Sequence, residues 1–259
     1  MNIASRQARY EERGFSRETA AINVLLEETL NILFSQFPET FVFFGGASLV
    51  LFYGSPRHSG DLDLLTSADA PPNAAELEAV LRRPLGEVAE TLGFGELTIE
   101  RAREAGEFLK LAVRSAGRVL FTIDITRITA VVKSELVAFP VSSEQATIAV
   151  PSRNLQLLFK AEAFLTRSSL KARDAFDIKL LMDSGAALGA NLKAHLADGP
   201  AADRLEDPEF IAERINRVDS RTCKPELQPY LPEDIYRELE REEFKSLRKA
   251  LTELFSDWL

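Results

Sequence analysis

Asp61-Leu62-Asp63 sets two carboxylates two residues apart at the start of Asp61 to Thr66, a run that reads as a strand. Side chains on a strand alternate between faces, so both carboxylates emerge together while Leu62 points the other way, towards a core. Such a pair suits a hard cation such as magnesium, which takes a few protein oxygens and completes its shell with water and substrate phosphates. A solvated strand end carries the same pattern, so the pair gains meaning only from its surroundings. Upstream, Gly45-Gly46 follows the apolar run Phe41 to Phe44 and precedes Ala47 to Tyr53. A glycine turn between a strand and a helix exposes backbone N–H groups at the positive end of the helix, where phosphate binds. Ser48 adds a hydroxyl there. Arg57, His58 and Ser59 fill the interval before the carboxylates. Arg57 reads either as a phosphate or carboxylate ligand or as a solvated loop arginine. His58 reads as a surface histidine, and Ser59 as a hydroxyl steadying the turn. Asp124, flanked by Ile123 and Ile125 on a later strand, is the candidate third carboxylate, its side chain opposite to theirs.

A second constellation lies downstream. Lys160, Arg167 and Lys171 fall at offsets of seven and four, one face of a helix if that helix is unbroken. Several cations on one face suit a triphosphate or an RNA backbone. Asp174 and Asp177, three apart, share a face and either hold these cations in place or act as base. An ordinary charged helix surface has the same spacing. Phe159, Phe164 and Phe176 are most simply core residues.

The elements that position these groups follow from periodicity and punctuation. Ser16 caps an amphipathic helix running to about Gln36, with Ala20, Ile22, Leu25, Leu26, Leu30, Leu33 and Phe34 at helical spacing. Phe37-Pro38 ends it. Phe41 to Phe44 is a short buried strand, Ala47 to Tyr53 a short helix, and Gly54-Ser55-Pro56 its stop. Asn73 and Glu76 form a capping box for a helix reaching about Leu92. Glu96 to Glu100, Phe108 to Arg114 and Val119 to Thr126 then read as a meander, and Thr147 to Val150 as an edge. Beyond Pro151 strands disappear. Ser152 caps one helix, Arg173 to about Asp183 forms another, and helical patterns continue over Leu188 to Leu196, Pro208 to Val218 and Pro232 to Leu259. Two domains are expected, 1–150 and 151–259, with no flexible linker and with a ligand cleft between them.

Composition narrows the function. With 46% hydrophobic residues in 259, the chain can bury a full core. A net charge of -9 argues against holding bulk nucleic acid by phosphate neutralisation alone, though a local basic face is open. One cysteine, Cys223, and two histidines build neither an intrachain disulfide nor a zinc site, which fits a reducing cytoplasm. The opening residues are charged, and no apolar run is long enough for a membrane span, so neither a signal peptide nor a membrane partner is expected.

Gly45-Gly46-Ala47-Ser48 followed by Arg57-His58-Ser59-Gly60-Asp61-Leu62-Asp63 resembles the opening motif of the AbiEii/AbiGii toxin family within the DNA polymerase β-like nucleotidyltransferases. Lys160, Arg167, Lys171, Arg173, Asp174 and Asp177 resemble the same family's Lys-x6-Arg and Arg-Asp-x-x-Asp. Ser48 stands where threonine is more usual. The resemblance reaches roughly Asp183, and the last 75 or so residues add no motif. It implies an α+β fold, a nucleotidyltransferase-like mixed sheet with flanking helices followed by an all-helical C-terminal lobe. It further implies magnesium-dependent transfer of NMP from an NTP to an acceptor hydroxyl, with the tRNA 3′ end the first acceptor to test, and a toxin partnered by an antitoxin protein. By the same resemblance Asp61, Asp63, Lys160 and Asp177 are catalytic. Gly45, Gly46, Ser48, Arg57, Ser59, Lys160, Arg167, Lys171, Arg173 and Asp174 bind nucleotide, and Asp61, Asp63 and Asp124 bind Mg2+. Two alternatives use the same pocket: a catalytically silent nucleotide-binding regulator and a phosphotransferase acting on a protein. The spatial expectation is that Asp61, Asp63 and Lys160 face one pocket.

Overall fold

In this computed structural model residues 2–128, 136–140 and 147–259 are described. The chain divides into two compact units, Met1–Pro151 and Ser152–Leu259.

In the first unit α1 (Ile3–Glu12) and α2 (Arg17–Gln36) precede β1 (Val42–Phe44), α3 (Gly45–Phe52), β2 (Asp61–Thr66) and α4 (Ala74–Thr91). The strands β3 (Leu97–Ala105), β4 (Phe108–Ser115) and β5 (Arg118–Arg127) follow. These strands form a mixed sheet of order β1-β2-β5-β4-β3. β2 and β5 run parallel, joined by the excursion through α4 and the β3–β4 hairpin, and the other pairs are antiparallel. Alternation along the strands divides the sheet cleanly. Leu62, Leu64, Leu111, Val113, Ile123 and Ile125 are buried in one cluster with Leu26, Leu30 and Leu33 of α2 and Leu77, Leu81 and Leu85 of α4. Each such aliphatic side chain contributes about 1.5–3 kcal/mol on burial, so the register of β2 is set by its apolar face. A slip by one residue would bury both carboxylates.

The caps at Ser16 and Asn73 form as the sequence indicates, the second with its full reciprocal box to Glu76. The charged opening, which periodicity left unassigned, is helical: α1 packs on α2 through Tyr10, Phe15, Ala20 and Val24. Thr147 to Val150 does not extend the main sheet. It belongs to β7 (Thr147–Pro151), which pairs with β6 (Leu136–Pro140) in a separate two-stranded sheet. Phe139 of β6 stacks on Phe52 of α3 at 4.7 Å between ring centroids.

The second unit is helical among its described residues, from α5 (Arg153–Thr166) and α6 (Ala172–Asp183) through α7 (Ala190–Asp198), α8 (Ala202–Leu205) and α9 (Pro208–Asn216). α10 (Ser220–Leu227), α11 (Glu233–Arg241) and α12 (Lys245–Leu254) complete it. α10 escapes a periodicity reading because Pro225 and a run of polar residues mask its two buried positions, Cys223 and Leu227. Among the described residues no helix is long and apolar enough to cross a membrane.

Candidate active site

The two glycines are where they are because other side chains need their space. Gly45 opens α3 at φ +78°, and a Cβ on it would collide with the Asp63 carboxylate, 2.9 Å from Cγ and closer still to Oδ2. A Cβ on Gly46 would lie 2.6 Å from Ser59 Oγ and 2.7 Å from Arg57 Nη2. The N-terminus of α3 therefore meets a carboxylate, a hydroxyl and a guanidinium at van der Waals range, and only glycine allows that approach. A carboxylate at a helix N-terminus is itself stabilised by the helix dipole.

Asp61 and Asp63 emerge on the same face of β2, both partly accessible, while Leu62 between them is fully buried. The parallel register sets Asp61 beside Thr122 and Asp63 beside Asp124, and β4 places Lys110 beside Asp124. Asp124 thus lies on the expected face, but its charge is already used. Lys110 Nζ donates to Asp124 Oδ2 at 2.8 Å, and Thr122 Oγ1 lies 2.9 Å from both Asp124 Oδ1 and Asp61 Oδ1. Among the described residues no three His, Cys, Asp or Glu side chains converge as a metal-ligand group. Asp61, Asp63 and Asp124, the metal set read from the sequence, share one face of the sheet, with Asp124 paired to Lys110. Lys110 and Thr122, both absent from that reading, share the face with them. Opposite-face alternation was the available signal, since Lys110 lies between Leu109 and Leu111.

The loop between α3 and β2 is more buried than its composition suggests. Arg57 is 3% exposed, its Nη1 donates to the carbonyl of His58 at 3.1 Å, and its backbone N–H donates to Ser55 Oγ at 3.2 Å. It is no solvated loop arginine. His58 is no surface histidine either: burial, reinforced by the neighbouring Arg57, pushes its imidazole down to about 4 against the opposing pull of Asp61. Ser48 is fully buried and donates its hydroxyl hydrogen to the Gly45 carbonyl at 2.7 Å, so it braces the glycine turn.

In the second unit the cations and carboxylates do come together, but not on one helix. α5 ends at Thr166, with Arg167 its C-cap, and α6 begins after Lys171. The unbroken helical face is replaced by a helix hairpin, across which Lys160 Nζ reaches Asp177 Oδ2 at 2.8 Å and Asp174 Oδ1 at 3.4 Å. Arg167 Nε lies 3.2 Å from Asp174 Oδ2. Asp174 and Asp177 are essentially inaccessible, Lys160 is 8% exposed, and Arg167 is the exposed member. Arg214, which the sequence did not single out, donates to the carbonyls of Phe164 and Arg167 and so ties off the end of α5. Glu226 of α10 takes Lys171 at 2.7 Å and lies 3.8 Å from Arg173. A surface cavity of about 480 Å³, lined among others by Lys179, Lys193 and Lys249, holds none of these residues.

Two carboxylates on one strand face thus lie against a glycine turn that opens a helix, on a mixed sheet. The family model described as nucleotidyl transferase AbiEii toxin, type IV toxin–antitoxin system, matches residues 29–258, and the chain belongs to that family. Its fold is similar to that of MenT4, a nucleotidyltransferase toxin from Mycobacterium tuberculosis H37Rv, with a TM-score of 0.54 at 18% identity over 100% of this chain and 93% of that one. It is also similar to JHP933 from Helicobacter pylori, with a TM-score of 0.56 at 15% identity over 91% and 93% of the two chains. A putative nucleotidyltransferase from H. pylori gives a TM-score of 0.55 at 15% identity over 90% and 94%. Among curated proteins none matches the chain in sequence.

Proposed function

We propose that this chain transfers NMP from an NTP to a hydroxyl of an RNA acceptor, the tRNA 3′ end foremost, with a magnesium ion on Asp61 and Asp63, and that an antitoxin protein restrains it. The observation that carries this reading is the approach of Asp63 to Gly45, which brings a cation ligand to the helix end that takes phosphate. Two carboxylates from one strand face fit magnesium, which keeps several waters and shares itself with substrate phosphates. When bound, the ion lowers the pKa of the acceptor hydroxyl and balances charge on the departing pyrophosphate.

The chain's own groups orient the reactants. The N–H groups at the start of α3 and the Arg57 guanidinium bind phosphate oxygens, with Ser59 completing the turn. The acceptor oxygen bonds to the α-phosphorus as the bond to pyrophosphate breaks. Lys160, its ammonium held by Asp174 and Asp177, is by the family resemblance a further nucleotide-binding group. Arg167, Lys171 and Arg173 add positive charge for the triphosphate or the RNA backbone. Asp177 is inaccessible and paired with Lys160, which favours a holding role over that of a base.

The test is incubation with each α-labelled and γ-labelled NTP, magnesium and total RNA, beside Asp61→Ala and Asp63→Ala. Label from the α-phosphate on RNA, lost in both variants, supports the reading. Label from the γ-phosphate on protein points to a phosphotransferase, and binding with the NTP left intact points to a silent regulator.

A further inference from the structure

Residues 1–28 lie outside the segment that the family model matches, yet they reach the last turn of α3 and the loop that follows it. Arg13 is the C-cap of α1. Its Nη2 donates to the carbonyl of Val50 at 2.8 Å and to that of Ser55 at 3.0 Å. Val50 lies in the last turn of α3, whose carbonyls have no helical partner of their own. Ser55 lies in the loop that follows. The guanidinium carbon sits 5.3 Å from the centroid of the Tyr10 ring and 5.4 Å from that of Phe15, so the cation rests against an edge-packed aromatic pair. Ser55 passes the constraint on: its Oγ accepts the Arg57 N–H at 3.2 Å, and its own N–H donates to the Leu49 carbonyl at 2.9 Å. Arg57 Nη2 and Ser59 Oγ in turn fill the space over Gly46.

α1 is itself fastened. Arg6 Nε pairs with Glu27 at 2.8 Å, the same guanidinium also meets Glu28, and Arg9 and the Tyr10 hydroxyl converge on Glu27. This fastening lies on α2 and touches neither the glycine turn nor the carboxylates. Arg13 reaches past α2 by hydrogen bonds to α3 and to the loop.

We propose that Arg13 is a positioning residue for the triphosphate-binding loop, fixing the end of α3 and residues 53–59 so that Arg57 and Ser59 stand ready over Gly46 before an NTP arrives. The inference rests on the reading of that loop as the nucleotide site. The guanidinium presents the two N–H bonds of Nη2 to the two carbonyls in a fixed plane that also packs on the aromatic rings; a lysine ammonium has rotating donors and no such plane. A loop that holds its binding shape only about a tenth of the time loses about tenfold in apparent affinity. The divalent cation, bound by the strand carboxylates, does not depend on the loop.

The experiment measures equilibrium NTP binding and Mn2+ binding separately on the full chain for wild type, Arg13→Ala and Arg13→Lys, with added guanidinium ion as a rescue arm. Arg13→Ala is expected to weaken NTP binding by about tenfold, to leave Mn2+ affinity unchanged, and to recover in guanidinium where wild type does not respond. Arg13→Lys, which keeps charge and bulk and so covers the case in which the alanine variant does not fold, is expected to fall between. NTP affinity at the wild-type level in a folded variant overturns the proposal, as does an equal loss of Mn2+ and NTP binding without rescue, which marks general loosening of the unit. A wild-type chain that binds Mn2+ but no NTP overturns the reading of the site instead, and that result is visible before any variant is compared.

Discussion

Replacing Gly45 by alanine tests the central geometry, because the backbone penalty can be separated from the collision. At φ +78° an alanine costs about 1–2 kcal/mol relative to glycine. Its Cβ also lands 2.9 Å from Asp63 Cγ, well inside contact distance, and the obstruction is the carboxylate itself. Asp63 cannot retreat by a strand slip, since Leu62 and Leu64 on either side are fully buried. The carboxylate must therefore turn off the face it shares with Asp61. A displacement of about 1 Å at a reacting centre costs on the order of a hundredfold in rate. The control is Gly106→Ala in the β3–β4 hairpin, also at positive φ (+57°) but with nothing within 4 Å of the added carbon. Both variants are expected to lose about 1–2 kcal/mol of stability in urea unfolding. Only Gly45→Ala is expected to lose Mn2+ affinity and about a hundredfold in nucleotidyl transfer. Equal retention of Mn2+ binding in the two variants would refute the claim that Gly45 is absent a side chain for the sake of Asp63.

Three further outcomes follow from the charges. Lys160→Met removes the ammonium 2.8 Å from the buried Asp177 and 3.4 Å from Asp174, which keeps Arg167 at 3.2 Å, and is expected to cost about 3–5 kcal/mol in denaturant unfolding of the second unit. An unchanged midpoint would mean that the Lys160 pairing adds nothing to the stability of the hairpin. Asp124→Asn is expected to change Mn2+ affinity by less than about threefold, because Lys110 already takes that charge, whereas Asp61→Asn removes a direct ligand and weakens binding by about tenfold or more. Titration calorimetry separates the two, and equal losses would show that Asp124 is a ligand despite its pairing with Lys110. His58, held down at about 4 from 6.5, takes up its proton more readily in the unfolded chain. Its contribution is fully present above about pH 6.5 and is lost as pH falls towards 4, a loss on the order of 2–3 kcal/mol. Comparing urea midpoints of wild type and His58→Phe at pH 7.5 and 4.5 isolates it, and parallel pH curves for the two would show that the imidazole is exposed.

Much of the first unit was legible because local rules and tertiary needs agree there. The strand Asp61–Thr66 is bounded in the sequence by the same residues as in the structure, since alternation and burial select one register. The capped helices were equally plain. What was hidden had compensating partners far away in sequence. α1 has charged residues at the positions that pack, because Arg6 is neutralised by Glu27 and Glu28 about twenty residues on. His58 read as a surface residue and Arg57 either as a ligand or as a solvated loop arginine, since nothing local shows that a glycine turn would fold over them. The pairing of Asp124 with Lys110 was hidden because Lys110 sits on another strand, and adjacency across a sheet is invisible until the register is known. The two helices α5 and α6 were legible as separate elements, but the bonds from Arg214 to the carbonyls of Phe164 and Arg167, 50 and 47 residues away, were not.

The α5–α6 network is poorly explained as a stability device. Two carboxylates and an ammonium withdrawn from water each lose several kcal/mol of hydration, and pairing in a low-dielectric interior seldom returns more than it loses. An apolar set of similar volume would hold the hairpin at least as well, as Leu157, Leu158, Ala161 and Phe164 already do along the same helix. What the charges add is an ammonium fixed in place by two acceptors at 2.8 and 3.4 Å, with no side-chain freedom left to surrender when an anion binds. That separation of roles makes a distinctive demand on mutants. Lys160→Met with Asp177→Leu is expected to recover most of the stability lost by Lys160→Met alone while nucleotidyl transfer stays at background, whereas a purely structural network would regain both together.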